Sequence, residues 1–440
     1  MHHRWKHRAG ATVLALAAAL TVLPVYAAEN AATSASHSPQ TLPSPLTADA
    51  FTEAVLAENA SLEAMRQAVV AALAQVKPAG ALDDPMLSVS AAPRTFGSSV
   101  GPSGDVEVSQ ALPWWGTLDA RRQVAHAEAE AANRDLEALR LHLAALARGA
   151  FADWVFVDRA LDINASNRTV LEQLRDIARV RYTTGQAPEE DILQADVERT
   201  MLREQQLEWE RQRAVVQARM NALLNRSPGA SLPSAADLPL SISLPAEEIL
   251  AQRALTHPRL GELEAQEQAA QAREHLAEKE RFPKFGLSAG YNNMWADPAM
   301  RPMVGVTITV PIDQSKYRAA IDAARAEAHR AASTLADQRS SVLADLAAAF
   351  ASARQSAQSL VLYRDELVPL ARETLEVARS EYASGRGDFL NVLTAEQRRL
   401  DTELGLARMQ SEYYERLAEL EQASGGGLLS PATRGMGVEP

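Results

Sequence analysis

The 440-residue chain contains one long internal duplication. A repeat of this length fixes the architecture, because whatever the first copy builds, the second builds again. Residues 56–229 return as 256–425, displaced by 198 positions early and by 200 late. Asn59-Ala60-Ser61-Leu62 answers His257-Pro258-Arg259-Leu260, and Val106 through Pro113 answers Val304 through Pro311. Ala178-Arg-Val-Arg-Tyr182-Thr-Thr-Gly185 answers Ala378-Arg-Ser-Glu-Tyr382-Ala-Ser-Gly385. The repeats span residues 47–229 and 230–425.

Both repeats have the same internal order. A helix comes first (47–75 and 245–280), followed by two short segments in which apolar and polar residues alternate. These segments, 85–92 and 104–112, then 283–295 and 302–311, read as β-strands. A long helical hairpin follows each pair, over 115–226 and 315–424. Its first arm runs through 117–181 or 315–382; ~65 residues make a rod of roughly 100 Å. Leu136, Leu139, Leu143, Leu146 and Ala150 step by three and four, as do Leu335, Val342, Leu346, Ala349 and Ala353. That is coiled-coil spacing. Pro369 lacks an N–H and is expected to kink the second rod.

Each hairpin turns on a glycine. Gly185 suits a helix C-terminus, and Pro188 opens the next helix with Glu189, Glu190 and Asp191 in its first turn. Gly385 repeats the device, with Asp388 at the start of the following helix.

Four alternating strands of this kind suit a membrane β-barrel, but four cannot close one. An open sheet edge in lipid leaves backbone groups unpaired, so neighbouring copies must supply the rest of the wall. Two copies give eight strands and three give twelve; only the wider barrel leaves a useful lumen. The hairpins would continue that barrel as a helical tube.

The ends and the composition agree with export. Residues 1–27 have the three parts of a secretory signal: Arg4, Lys6 and Arg8, then 13 apolar positions from 11 to 23, then Val25-Tyr26-Ala27. Residues 28–46 and 426–440 read as flexible ends. Removal of the three basic residues with the signal takes the net charge from -12 to -15, which argues against nucleic acid. With no cysteine, disulfides and thiolate chemistry are excluded. No nucleophile–base signature or phosphate loop appears, so no enzyme and no cofactor are expected. His126, His142, His275 and His329 show no ligand spacing, so no metal site is expected. Met294, Met300 and Met303, with Trp295, are expected at a barrel rim, and Trp114 and Trp115 in an interfacial aromatic belt.

The chain resembles the TolC-type outer-membrane efflux proteins, the outer-membrane factors, over about residues 50–425. The resemblance rests on Val108-Ser109-Gln110-Ala111-Leu112-Pro113 with Gly116, on Thr309-Val310-Pro311-Ile312, and on the two hairpin tips. It implies a mainly α fold with a membrane β-barrel: a homotrimer whose twelve-stranded outer-membrane barrel continues into a periplasmic α-helical barrel. The implied activity is a passive exit duct that works with a periplasmic adaptor (a membrane fusion protein) and an inner-membrane pump. Tyr382-Ala-Ser-Gly385-Arg-Gly-Asp388-Phe389-Leu390 and Leu367-Val-Pro369-Leu-Ala371 are most similar to the heavy-metal branch. That branch serves resistance-nodulation-division pumps for ions such as copper, silver, zinc, cobalt or cadmium. Drug-efflux and type I secretion ducts share the fold. A rival of another class, a secreted coiled-coil scaffold without a pore, explains the rods but not the four strands.

The resemblance places a gate at the tips, where carboxylates of three chains converge. The family often has aspartates six and nine positions after the second tip glycine; here those positions are Asn391 and Thr394. The local acidic set is Asp191, Asp388, Glu189 and Glu190, and the candidates for adaptor docking are Tyr182, Gly185, Tyr382, Gly385 and Arg386.

Overall fold

A computed structural model of the chain describes residues 42–92, 103–238, 244–293, 295 and 297–429. The expected signal segment, most of 28–46, Met294 and the tail beyond residue 429 lie outside these residues.

The opening helix expected in each repeat is two helices. In the first repeat they are α1 (Ala48–Glu58) and α2 (Ala60–Ala79). The break is a cap: the Asn59 side-chain oxygen accepts the N–H groups of Ser61 (3.0 Å) and Leu62 (3.3 Å). In the second repeat α5 (Glu247–Ala254) and α6 (Pro258–Glu280) divide at the matching residue, His257. Its Nδ1 accepts the Arg259 N–H at 3.0 Å. Capping side chains stand at equivalent positions in both breaks, and in the second Pro258 at the first helical position adds to the interruption.

Strands β1 (Met86–Ala92), β2 (Ser103–Leu112), β3 (Lys284–Asn292) and β4 (Pro302–Thr309) form one antiparallel sheet in chain order. β2 and β3 join the two repeats, with Val108 opposite Ala289 and Leu112 opposite Phe285. Register decides what each face carries. Leu87 and Val89 align with Val108 and Val106, then with Ala289 and Tyr291, then with Val304. Phe285, Leu287, Val306 and Ile308 extend this face, on which Gln110 is the polar exception. The Gln110 amide donates to the Asp83 carbonyl at 2.7 Å, at the helix end of the sheet. The opposite face carries Ser88, Ser90, Asp105, Glu107, Ser109, Ser288 and Thr307, with Met86, Ala111 and Met303 as apolar members. A one-residue slip would exchange the faces, so the alternation holds the register. Within the chain, β1 and β4 each pair on one side only.

The rods are α3 (Thr117–Thr183), α4 (Glu189–Leu223), α7 (Gln314–Leu362), α8 (Val368–Ala383) and α9 (Phe389–Ala423). Each buries a seven-residue seam. On α3 it is Leu136, Leu143, Ala150, Val157, Asn164, Leu171 and Ala178; on α4 it is Ala195, Leu202, Trp209 and Val216. On α9 it is Leu393, Leu400, Ala407, Tyr414 and Glu421. A strict seven-residue period winds such rods left-handedly about one another. Leu146, expected in the seam, is exposed, and Ala147 is buried in its place. Ala147 lies four residues after Leu143, where the seam continues, and Leu146 falls beyond its edge.

Pro369 interrupts the second rod in a particular way. A π turn, Tyr363–Leu367, precedes it, and Val368 and Pro369 begin α8. The buried positions run Ala353, Leu360, then Val368, Leu375 and Tyr382. The eight-residue step across the turn is the one extra residue that a π turn inserts. Opposite it, a Cβ on Gly405 would clash with the Tyr363 ring, so any larger residue there would force ring or helix to shift.

Midway along α3, α1 packs on that rod around Phe51, Phe151 and Trp154, and Tyr414 of α9 joins the same core. Phe151 is fully buried, and truncation to alanine there costs about 3–5 kcal/mol. Leu46, expected in a flexible segment, is held in this core by a bridge to Ala235. The Arg148–Glu421 ion pair lies beside it, and Glu421 also accepts the Gly427 N–H at 3.1 Å. That bond ties the first residues after α9 back onto the helix.

Candidate functional site: the hairpin tips

The far ends of the two hairpins share one core. Leu171, Leu174 and Ala178 of α3 meet Ala195 and Leu202 of α4, Leu375 and Tyr382 of α8, and Phe389 and Val392 of α9. Each rod stops in the same way. The Gly185 N–H reaches the Tyr182 carbonyl (3.0 Å) and the Gln186 N–H reaches that of Arg181 (2.8 Å). In the second tip Gly385 bonds Tyr382 (3.0 Å) and Arg386 bonds Glu381 (2.9 Å). This is the paired Schellman pattern, which places the glycine in left-handed backbone; φ is +73° at Gly185 and +76° at Gly385. α4 then starts after Pro188 and α9 after Asp388, neither of which makes a side-chain cap.

The two tyrosines part company. Tyr182 is 44% exposed, whereas Tyr382 is 3% exposed. The Tyr382 hydroxyl donates to the Asp191 carboxylate at 2.7 Å. Its ring lies 5.1 Å from that of Phe389, with the Arg181 guanidinium 4.4 Å over its face. Arg181 also donates to the Tyr382 carbonyl and, at 3.2 Å, to that of Gln186. Burial first, and then the Asp191 carboxylate, hold the Tyr382 phenol well above its usual range. The phenol therefore stays a donor at any physiological pH. A residue from each end of the first turn thus grips one tyrosine of the second.

Farther along the rods a second polar contact spans the hairpins. Arg399 of α9 donates to the Asn167 side chain of α3 at 2.6 Å and to Glu396 and Glu403 of its own helix at 2.8 and 2.7 Å. The Glu396 bond first, and the surrounding carboxylates, hold the Arg399 guanidinium above its ordinary value against its burial. Gln397 donates to Glu198 of α4 at 2.9 Å.

Of the four acids expected at the gate, the structure brings one, Asp191, to another candidate, Tyr382. Glu189, Glu190 and Asp388 are exposed. Tyr182, Gly185, Gly385 and Arg386 lie on the surface as a docking role requires; the Tyr382 side chain does not. The seam offset created by the π turn carries that ring inward. Arg181 was missed. Its signal was the one charge reversal inside the repeated tip motif, where the second copy has Glu381. Among the described residues no group of His, Asp and Glu is placed to hold a metal. No helix among them is long and apolar enough to cross a membrane.

Two repeated helical hairpins on a two-faced sheet match the fold of outer-membrane channel proteins with a long periplasmic helical barrel, which are channels and not enzymes. The chain belongs to the outer membrane efflux protein family, which it matches over residues 52–226 and 250–426. The outer-membrane channel OprN superposes with a TM-score of 0.75 at 21% identity, covering 87% of this chain and 90% of its own. CusC gives 0.76 at 19%, covering 86% and 92%, and the open-state MtrE channel of Neisseria gonorrhoeae gives 0.73 at 19%, covering 87% and 89%. No curated protein matches the sequence. Channels of the family are trimers that work with adaptor proteins and inner-membrane pumps.

Proposed function

We propose that three copies of this chain close a twelve-stranded barrel and form the exit duct of a tripartite efflux system, gated at the hairpin tips. One observation carries this: a sheet with an apolar face, a polar face and two half-paired edges. The apolar face suits lipid and the polar face a wet lumen. The edges need partners from neighbouring copies, because unpaired backbone is not tolerated in hydrocarbon.

The contact of Arg181 and Asp191 with Tyr382 holds the two hairpins of one protomer together at the narrow end and is the latch of the gate. Glu189, Glu190 and Asp388 are left exposed, and three copies bring their charges together at the entrance. Converging carboxylates attract cations and repel one another, which favours heavy-metal cations as cargo. The tip sequence from Tyr382 to Leu390 supports the same cargo. The periplasmic adaptor docks on the exposed tips through Tyr182, Gly185, Gly385 and Arg386, with exposed Val180, Leu193 and Leu390 in the same turns. A resistance-nodulation-division pump supplies the cargo from the inner membrane.

The test is conductance of the purified protein in planar bilayers. Wild type is expected to insert from detergent with low, cation-selective conductance, and Tyr382→Phe to raise it. Absence of any conductance from wild type and variant alike would remove the duct. Cargo is tested with the cognate pump and adaptor in cells: loss of the duct should sensitise them to copper, silver or zinc salts, and sensitivity to drugs alone would contradict the metal assignment.

A further inference from the structure

Lysine is distributed unevenly in this chain. Of its five lysines, Lys6 lies in the expected signal, and the other four are Lys77, Lys279, Lys284 and Lys316. Each of these four lies where a helix meets a membrane strand: near the end of α2, near the end of α6, at the start of β3 and at the start of α7. Arginine carries nearly all the positive charge of the rods, where many of the side chains form ion pairs such as Arg175–Asp196 and Arg325–Glu274. Among the described residues none of the four lysines makes an ion pair.

At one of these junctions the cations sit on an aromatic patch. The Trp114 ring stacks on Phe282 at 4.9 Å and on Phe285 at 6.0 Å, and Trp115 meets Phe285 at 5.5 Å. Phe285 belongs to the apolar face of the sheet, between Leu112 and Ile308, so the patch continues that face toward the helices. Trp115 remains 71% exposed. The Arg281 guanidinium lies 5.1 Å over Phe282, and the Lys279 stem lies beside the Gly116 turn, 3.7 Å from where a Cβ there would stand. Neither cation makes an ion pair among the described residues. Tryptophans with flanking cations are the side chains that settle at a headgroup layer, with stems along apolar surface and charge toward phosphate. A guanidinium over an aromatic face still presents N–H groups to a phosphate diester.

Resting on the outer-membrane duct proposed above, we infer that Lys279 and Arg281, with Trp114, Trp115 and Phe282, bind the headgroup of an anionic phospholipid in the periplasm-facing leaflet. The helix ends of the strands define that side. Lys284 supplies an internal control: it lies at the same level, but strand alternation puts it with Thr309 on the polar face.

The test is native mass spectrometry of the intact trimer released from vesicles of phosphatidylglycerol and phosphatidylcholine in equal parts. Wild type and K284Q should retain phosphatidylglycerol about tenfold over phosphatidylcholine, and K279Q/R281Q should retain the two equally. Equal retention by wild type, or equal losses in K284Q and the double variant, would overturn the inference. If the double variant does not assemble, K279Q and R281Q singly decide: each should lose part of the preference, and an unchanged preference in both rejects the site. A wild type that conducts without lipid preference removes this inference alone; one that neither inserts nor conducts removes the duct.

Discussion

The two hairpin tips share a motif and differ in what they do with it. Both carry Ala-Arg-x-x-Tyr-x-x-Gly, both end a rod in a Schellman turn, and both glycines adopt the same left-handed backbone. Yet Tyr182 faces outward and Tyr382 is buried. Backbone geometry is therefore not what separates them. The first tip supplies Arg181 and Asp191, and the second supplies the ring that they hold. Duplication built two similar ends, and a few charge differences made one the clasp and the other the clasped.

That asymmetry can be broken in order of effect. Arg181→Leu removes the guanidinium from the Tyr382 ring and two bonds to backbone carbonyls, and should raise single-channel open probability by roughly one to two orders of magnitude. The mirror change, Glu381→Leu, should leave it within about twofold, because no tyrosine of the first tip depends on that residue. Tyr382→Phe deletes one bond to a carboxylate, and a rise of about tenfold is expected, whereas Tyr182→Phe should change nothing measurable. A double-mutant cycle of Tyr382→Phe with Asp191→Ala should give a coupling of about 1 kcal/mol or more in gating free energy; additive effects would dissolve the latch.

Where the tips are alike, the variants should be too. Gly185→Ala and Gly385→Ala each force a Cβ into left-handed backbone and should cost about 1 kcal/mol, read as equal falls in melting temperature. Unequal falls would show that one turn carries more than helix termination.

The smallest effect expected is that of pH on the latch. The folded Tyr382 phenol is held above its unfolded value of about 10, so its contribution is complete below that value and is lost as pH rises past it toward the folded one. Conductance traceable to this bond should be flat from pH 6 to 8.5, and Tyr382→Phe should abolish only the rise in strong base. A titration near neutrality that vanishes in Tyr382→Phe would contradict the assignment.

Much of this was legible because it repeats. Alternation in strands such as Val304–Gly305–Val306–Thr307 and glycines at 185 and 385 are local signals, and their recurrence 198 to 200 residues apart confirms them. Less legible were events decided by single atoms or by distant neighbours. Asn59 stands in a helix-forming run that its side-chain cap divides, and at the matching break the His257 cap acts together with Pro258. Pro369 announced an interruption, but not that a π turn would shift the seam by one residue or that Gly405 would face its Tyr363 ring across the bundle. The different burial of two tyrosines in one motif is a tertiary fact, foreshadowed by the change from Arg181 to Glu381.

Everything about gating presupposes a closed wall, and the absence of cysteine makes that wall directly measurable. Ser88→Cys on β1 is combined with Gly305→Cys, Thr307→Cys or Thr309→Cys on β4, and each double variant is oxidised in outer membranes. Within one protomer the two edges are three strand spacings apart, about 14 Å, beyond the reach of a disulfide. A barrel closed by three copies predicts, for at least one pair, covalent dimers and trimers on denaturing gels and nothing larger. Monomer alone from all three pairs would contradict the closed barrel.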